Sequence, residues 1–141
     1  MVDILLVDDS MEDAEMAIRA LKKSNLANNL LHLEDGEAAL NYFYGEDKDQ
    51  TNIPKIILLD LKMPKVDGIE VLRRLKGDEK FSRIPVVVMT SSKEEKDIVE
   101  TYRLGVNAYI VKPVDVEKFI KAVTDVGFFW LVMNEVPHDM R

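Results

Sequence analysis

Four short apolar runs in this chain each stop on a polar, chemically capable side chain. Ile4-Leu5-Leu6-Val7 ends in Asp8-Asp9, and Ile56-Ile57-Leu58-Leu59 ends in Asp60. Val86-Val87-Val88-Met89 ends in Thr90, and Ala108-Tyr109-Ile110-Val111 ends in Lys112-Pro113. Runs without polar alternation read as strands buried on both faces, as in a parallel sheet. In open α/β sheets the ligand crevice lies at the carboxyl ends of the strands. The pattern predicts a parallel sheet with one polar site along its carboxyl edge.

Helix signals fill the spaces between the strands. Asp3 to Val7 reads as the first strand. Ser10-Met11-Glu12-Asp13 is an N-cap signature, and Ala14, Ala17, Ile18 and Leu21 follow at helical spacing. Leu30 to Glu34 is a weaker second strand that holds or adjoins His32. Asp35-Gly36-Glu37 opens a second helix that fades near Tyr44, and the polar stretch Gly45 to Asn52 reads as a loop. Asp67-Gly68-Ile69-Glu70 caps a third helix, with Ile69, Leu72 and Leu75 inward. Ser92-Lys93-Glu94-Glu95 reads as a capping box for a fourth helix that stops at Gly105. Asp115 caps the last helix, with Val114 and Phe119 as a hydrophobic staple. Strand and helix alternate five times, which predicts an α/β fold, a (βα)5 doubly wound sheet of five parallel strands.

Length and charge narrow the function. The 141 residues suit one domain, with nothing left over for a second or output domain. The net charge of −7 argues against nucleic acid or an anionic membrane as a direct partner. With no cysteine, disulfides and thiolate metal sites are excluded. No apolar run approaches the roughly 20 residues of a membrane span, and the first is too short for a signal peptide. A cytoplasmic location is expected.

Asp8, Asp9 and Asp60 brought to one edge would repel one another. At about 4 Å and an effective dielectric near 20, each pair costs about 4 kcal/mol before screening. Such a cluster needs a cation or a raised pKa. Hard oxygen donors without histidine or cysteine favour Mg2+. A carboxylate can act as a nucleophile and form an acyl phosphate, whose oxygens then need neutralising. Lys112 and the Thr90 hydroxyl are placed to contribute to that. Taken singly, Asp8-Asp9 could be a solvated turn, Asp60 an Asx-turn residue, Thr90 a helix-start residue and Lys112 a surface lysine. His32 and His138 are isolated and look like neither phosphodonor nor ligand.

The segments Leu5-Leu6-Val7-Asp8-Asp9, Leu58-Leu59-Asp60 with Met63-Pro64 and Asp67-Gly68, Val88-Met89-Thr90-Ser91, and Tyr109-Ile110-Val111-Lys112-Pro113 stand in the order seen in two-component receivers. In these the chain resembles the receiver domains of response regulators. The resemblance implies a flavodoxin-like sheet with strand order 2-1-3-4-5. It implies that Asp60 is phosphorylated by a sensor histidine kinase or a phosphotransfer protein. Asp8, Asp9 and Asp60, with the Lys62 backbone carbonyl, would hold Mg2+. Lys112 would pair with the phosphoryl group, Thr90 would move to contact it, and Tyr109 would be the aromatic switch. The Lys112-Pro113 bond is usually cis in this family. Phosphate lifetime there depends on the side chains two positions after the acceptor and two after the hydroxyl, here Lys62 and Ser92. Tyr109 to Asp115, the polar stretch near Gly45 to Asn52, and Phe128-Phe129-Trp130-Leu131 also resemble stand-alone regulators paired with phytochrome-type kinases.

Other functions fit less well. A phosphohydrolase of the haloacid dehalogenase type wants an Asp two residues after its nucleophile, where this chain has Lys62. A flavin binder needs a phosphate loop after the first strand, where Asp8-Asp9 would repel the anion. A phosphorylation-independent adaptor would have no use for Asp60 and Lys112. The expectation is a signalling switch that is not an enzyme, apart from catalysing its own phosphotransfer. Phe128 to Met133 places six consecutive apolar residues where a helix can bury only a stripe. Part of the run is therefore expected at an interface, with a self-packed helix end as the alternative. The resemblance to phytochrome-associated regulators implies that this is a homodimer surface carrying Phe128, Phe129 and Trp130.

Overall fold

The computed structural model describes residues 2–26, 29–45, 53–113 and 115–123. Five strands and five helices alternate along it. They are β1 (Ile4–Val7), α1 (Met11–Lys23), β2 (Leu30–Leu33), α2 (Gly36–Tyr44), β3 (Ile56–Leu59), α3 (Gly68–Lys76), β4 (Val86–Thr90), α4 (Glu95–Leu104), β5 (Ala108–Val111) and α5 (Val116–Val123). All pairings are parallel, in the order β2-β1-β3-β4-β5, as the resemblance implied. The register sets Val7 beside Leu59 and Leu59 beside Val88, so β1 and β3 end level, while β4 runs two residues further to Thr90, which pairs with Val111 at the end of β5.

Strand periodicity splits the core in two. Leu5, Val7, Ile57, Leu59, Val86 and Val88 point to one face, where they meet Ala39 and Phe43 of α2 and Val71, Leu72 and Leu75 of α3. Ile4, Leu6, Ile56, Leu58, Val87 and Met89 point to the other, against Ala14, Ala17 and Leu21 of α1 and Phe119 of α5. The inner strands are buried throughout, while β2 and β5 are half-buried because each lies at a sheet edge.

Capping follows the sequence closely, with one correction. Ser10, Asp35 and Asp67 accept hydrogen bonds from Asp13, Ala38 and Glu70 N–H groups, and Asp115 accepts one from Lys118. Gly105 ends α4 at φ 101°, a left-handed position that disfavours other residues. Ser92 does not cap α4. The helix starts three residues later, at Glu95, with Glu94 at the cap position and no side-chain capping bond. The Ser92 hydroxyl instead donates to Asp97 and accepts from the Glu94 N–H. In α3, Leu72 and Leu75 face inward as expected and Ile69 packs half-buried against the same core, joined by the buried Val71. Val114, residues 46–52 of the polar loop, and Phe128 to Met133 lie outside the described residues.

Candidate functional site at the carboxyl edge

Each strand end delivers one part of the site. Asp8 follows β1 and is fully buried, and the neighbouring Asp9 is exposed. Asp60 follows β3 and is 5% exposed. Thr90 is the last residue of β4 and is buried, and Lys112 follows β5. The Lys112-Pro113 peptide is cis. Carboxylate oxygens of Asp8, Asp9 and Asp60 all lie within 4.8 Å of one another.

Lys112 ties the edge together. Its Nζ lies 2.9 Å from Asp8, 2.8 Å from Asp13 and 3.6 Å from Asp60. Burial alone would lower its pKa, but Asp13, Asp8 and Asp60 more than offset that, and it is raised. Asp60 moves the same way for a different reason. Burial raises its carboxyl to about 6, and the neighbouring Asp8 adds to the rise, against the pull of Lys112, the Thr90 hydroxyl and the Lys62 N–H. A raised carboxylate pKa inside an acidic cluster marks an unmet demand for positive charge.

The residues fit a divalent cation. Carboxylates of Asp8, Asp9 and Asp60 cluster together, while the Lys112 ammonium lies near Asp8 and Asp60 and is shared with Asp13, so negative charge is in excess. All three are hard oxygen donors, and the exposed Asp9 leaves a path from solvent.

The surrounding shell holds these groups in place. Asp8 Oδ1 accepts from the Ser10 N–H at 2.9 Å, and the Asp8 carbonyl lies 2.8 Å from His32 Nε2. Gly68 N–H donates to Leu61 O at 2.8 Å, bringing the start of α3 onto the acceptor loop. A Cβ at Gly68 would stand 2.2 Å from the Asp60 carbonyl oxygen, so only glycine permits that approach. Tyr109 is half-buried in β5, and its hydroxyl donates to Ser92 O at 3.1 Å.

Three participants escaped the sequence reading. Asp13 looked like a helix-cap residue, yet it pairs with Lys112. His32 looked isolated, yet it touches the backbone of Asp8. Asp97 drew no notice, yet it is 4% exposed and pairs with Lys62 at 3.2 Å. Only the helical step from the cap at Ser10 hinted that Asp13 faces the site. Nothing local hinted at the other two.

A family profile described as the response regulator receiver domain matches residues 4–124. The chain belongs to the response regulator receiver family. Among curated relatives, this receiver is 38% identical over 135 residues to the response regulator Rcp1 of Synechocystis, covering 95% of this chain and 92% of that one. The solved Mn2+-bound form of Rcp1 superposes with a TM-score of 0.78 at 37% identity, covering 97% of this chain and 99% of that one. The bacteriophytochrome response regulator RtBRR has a TM-score of 0.79 at 46% identity, covering 97% and 85% of the respective chains. The phosphorylated cyanobacterial phytochrome response regulator RcpA has a TM-score of 0.80 at 36% identity, covering 96% and 98%. The receiver is thus a two-component signalling domain of a phosphorylatable family. Among its described residues no helix is long and apolar enough to cross a membrane.

Proposed function

We propose that Asp60 accepts a phosphoryl group from a sensor histidine kinase or phosphotransfer protein, and that the acyl phosphate changes which partner this domain binds. A single observation carries the reading: Lys112 Nζ stands between Asp8 and Asp60, at 2.9 and 3.6 Å, on the rim of a three-carboxylate cluster. An Asp60 oxygen attacks phosphorus, the bond from phosphorus to the donor nitrogen breaks, and that nitrogen keeps the electron pair. Lys112 shifts from the carboxylates to the new phosphoryl oxygens, and the Thr90 hydroxyl donates to another. Asp8, Asp9, Asp60 and the Lys62 carbonyl would hold Mg2+, which when bound offsets charge on the phosphoryl oxygens.

The consequence travels through the Thr90 strand end. When Thr90 turns to the phosphoryl group, Ser92 follows, because its N–H donates to Thr90 Oγ1 at 3.3 Å. Tyr109 is held to the Ser92 carbonyl, so the α4-β5-α5 surface responds. The phosphoryl group shifts that surface only by favouring one of its two states over the other. This is a signalling role, with no turnover of an outside substrate beyond the phosphodonor. A cytoplasmic location and a homodimer through Phe128, Phe129 and Trp130 complete the proposal.

Acetyl phosphate with Mg2+ should add one phosphoryl group to the wild type by intact mass, and chelation by EDTA should abolish the gain. Asp9→Ala should slow it and weaken Mg2+ binding in calorimetry. A wild-type protein that stays unmodified would overturn the reading.

A further inference from the structure

We propose that Asp97 is a positioning residue that sets how long the phosphoryl group survives on Asp60, by anchoring the Lys62 side chain away from it. The proposal rests on the receiver reading above. Asp97 lies in the first turn of α4, whose other acidic residue there, Glu95, is exposed. Its carboxylate turns inward, is 4% exposed, accepts from the Ser92 hydroxyl and pairs with Lys62 Nζ at 3.2 Å. The Thr101 hydroxyl donates to the Asp97 carbonyl at 2.9 Å, which fixes this turn of the helix. A buried carboxylate so held makes a firm anchor on α4 for a side chain from the β3–α3 loop.

Lys62 needs such an anchor. It lies two residues beyond Asp60, and its N–H stands 3.4 Å from Asp60 Oδ1. Its ammonium rides on a flexible stem that is half exposed to solvent. Released beside a phosphoryl dianion, that cation would move to the phosphoryl oxygens, where opposite charges attract strongly at a partly buried site. There it would stand on the path of the attacking water. In the hydrolysis, the water oxygen bonds to phosphorus and the phosphorus–oxygen bond to Asp60 breaks. Asp60 leaves as carboxylate, and the water protons depart on inorganic phosphate. Asp97 holds Lys62 aside and keeps that path open.

The test follows loss of the phosphoryl group after removal of acetyl phosphate, by intact mass, with Mg2+ present. Asp97→Asn keeps an oxygen for the Ser92 hydroxyl but loses the charge that holds Lys62. It should lengthen the half-life at least about threefold, the scale of coupling between side chains in contact. On a Lys62→Ala background, Asp97→Asn should have no such effect, whereas a merely structural role for Asp97 would persist there. An Asp97→Asn half-life equal to wild type, or an effect that survives Lys62→Ala, overturns the proposal while leaving Asp60 as acceptor. A wild type that takes no phosphoryl group overturns both. Should Asp97→Asn fail to fold, a crystal structure of the wild type with Mg2+ and beryllofluoride decides. Lys62 on Asp97 supports the proposal, and Lys62 on the fluorides overturns it.

Discussion

Asp60→Asn should stabilise the metal-free protein at neutral pH. In the folded chain the Asp60 carboxyl is pushed up to about 6, mainly by burial, from an ordinary 3.8. The folded state thus holds a proton between these values that the unfolded chain has released. Stability must then fall as pH rises through that window. The penalty is absent below about pH 3.8, complete above about pH 6, and worth at most about 3 kcal/mol at 1.36 kcal/mol per pKa unit. Asparagine is nearly the same shape and carries no charge, so it escapes the penalty. Urea unfolding with EDTA present should show a gain of about 2–3 kcal/mol at pH 7.5 that shrinks towards zero near pH 4. Divalent cation should stabilise the wild type more than the variant, because it removes part of the same penalty. Equal stabilities at pH 7.5, or a gain that grows as pH falls, would refute the argument that burial and Asp8 make ionised Asp60 costly.

Lys112→Ala removes the cation facing the fully buried Asp8, and should cost about 3 kcal/mol in metal-free urea melts. The same variant should bind Mg2+ nearly as well as wild type in calorimetry but accept or read out the phosphoryl group poorly. Gly68→Ala forces a Cβ against the Asp60 carbonyl, so it should both lower the melting temperature and slow phosphorylation by acetyl phosphate. Sedimentation over a concentration series should show a dimer that Trp130→Ala and Phe129→Ala weaken; a wild type monomeric throughout would favour the self-packed helix end.

What could be read from the sequence is what the chain encodes locally. Each inner strand is built on a run of apolar residues, mostly branched, and each of four helices begins at an Asp or Ser whose side chain accepts a backbone N–H in the structure. The polar ends of those strands had to meet because parallel strands bring their carboxyl ends to the same edge of the sheet. Local pattern failed where a tertiary partner competed. Ser92 has the spacing of a capping box, but a buried carboxylate at Asp97 takes its hydroxyl, and α4 starts later. Asp97 carries no local signal, and its partner Lys62 arrives from another loop. Asp13 reaches Lys112 from 99 positions away, a contact no window of sequence contains.

Asp8, Asp9 and Asp60 share one pocket, so the measurement that bears most directly on the account is which of them carries the phosphoryl group. The protein is phosphorylated with acetyl phosphate and Mg2+, the acyl phosphate is reduced with borohydride, and the modified residue is located by fragment mass. Modification is expected at Asp60 alone, with none in Asp60→Asn. Modification at Asp8 or Asp9, or an Asp60→Asn variant labelled as fully as wild type, would contradict it.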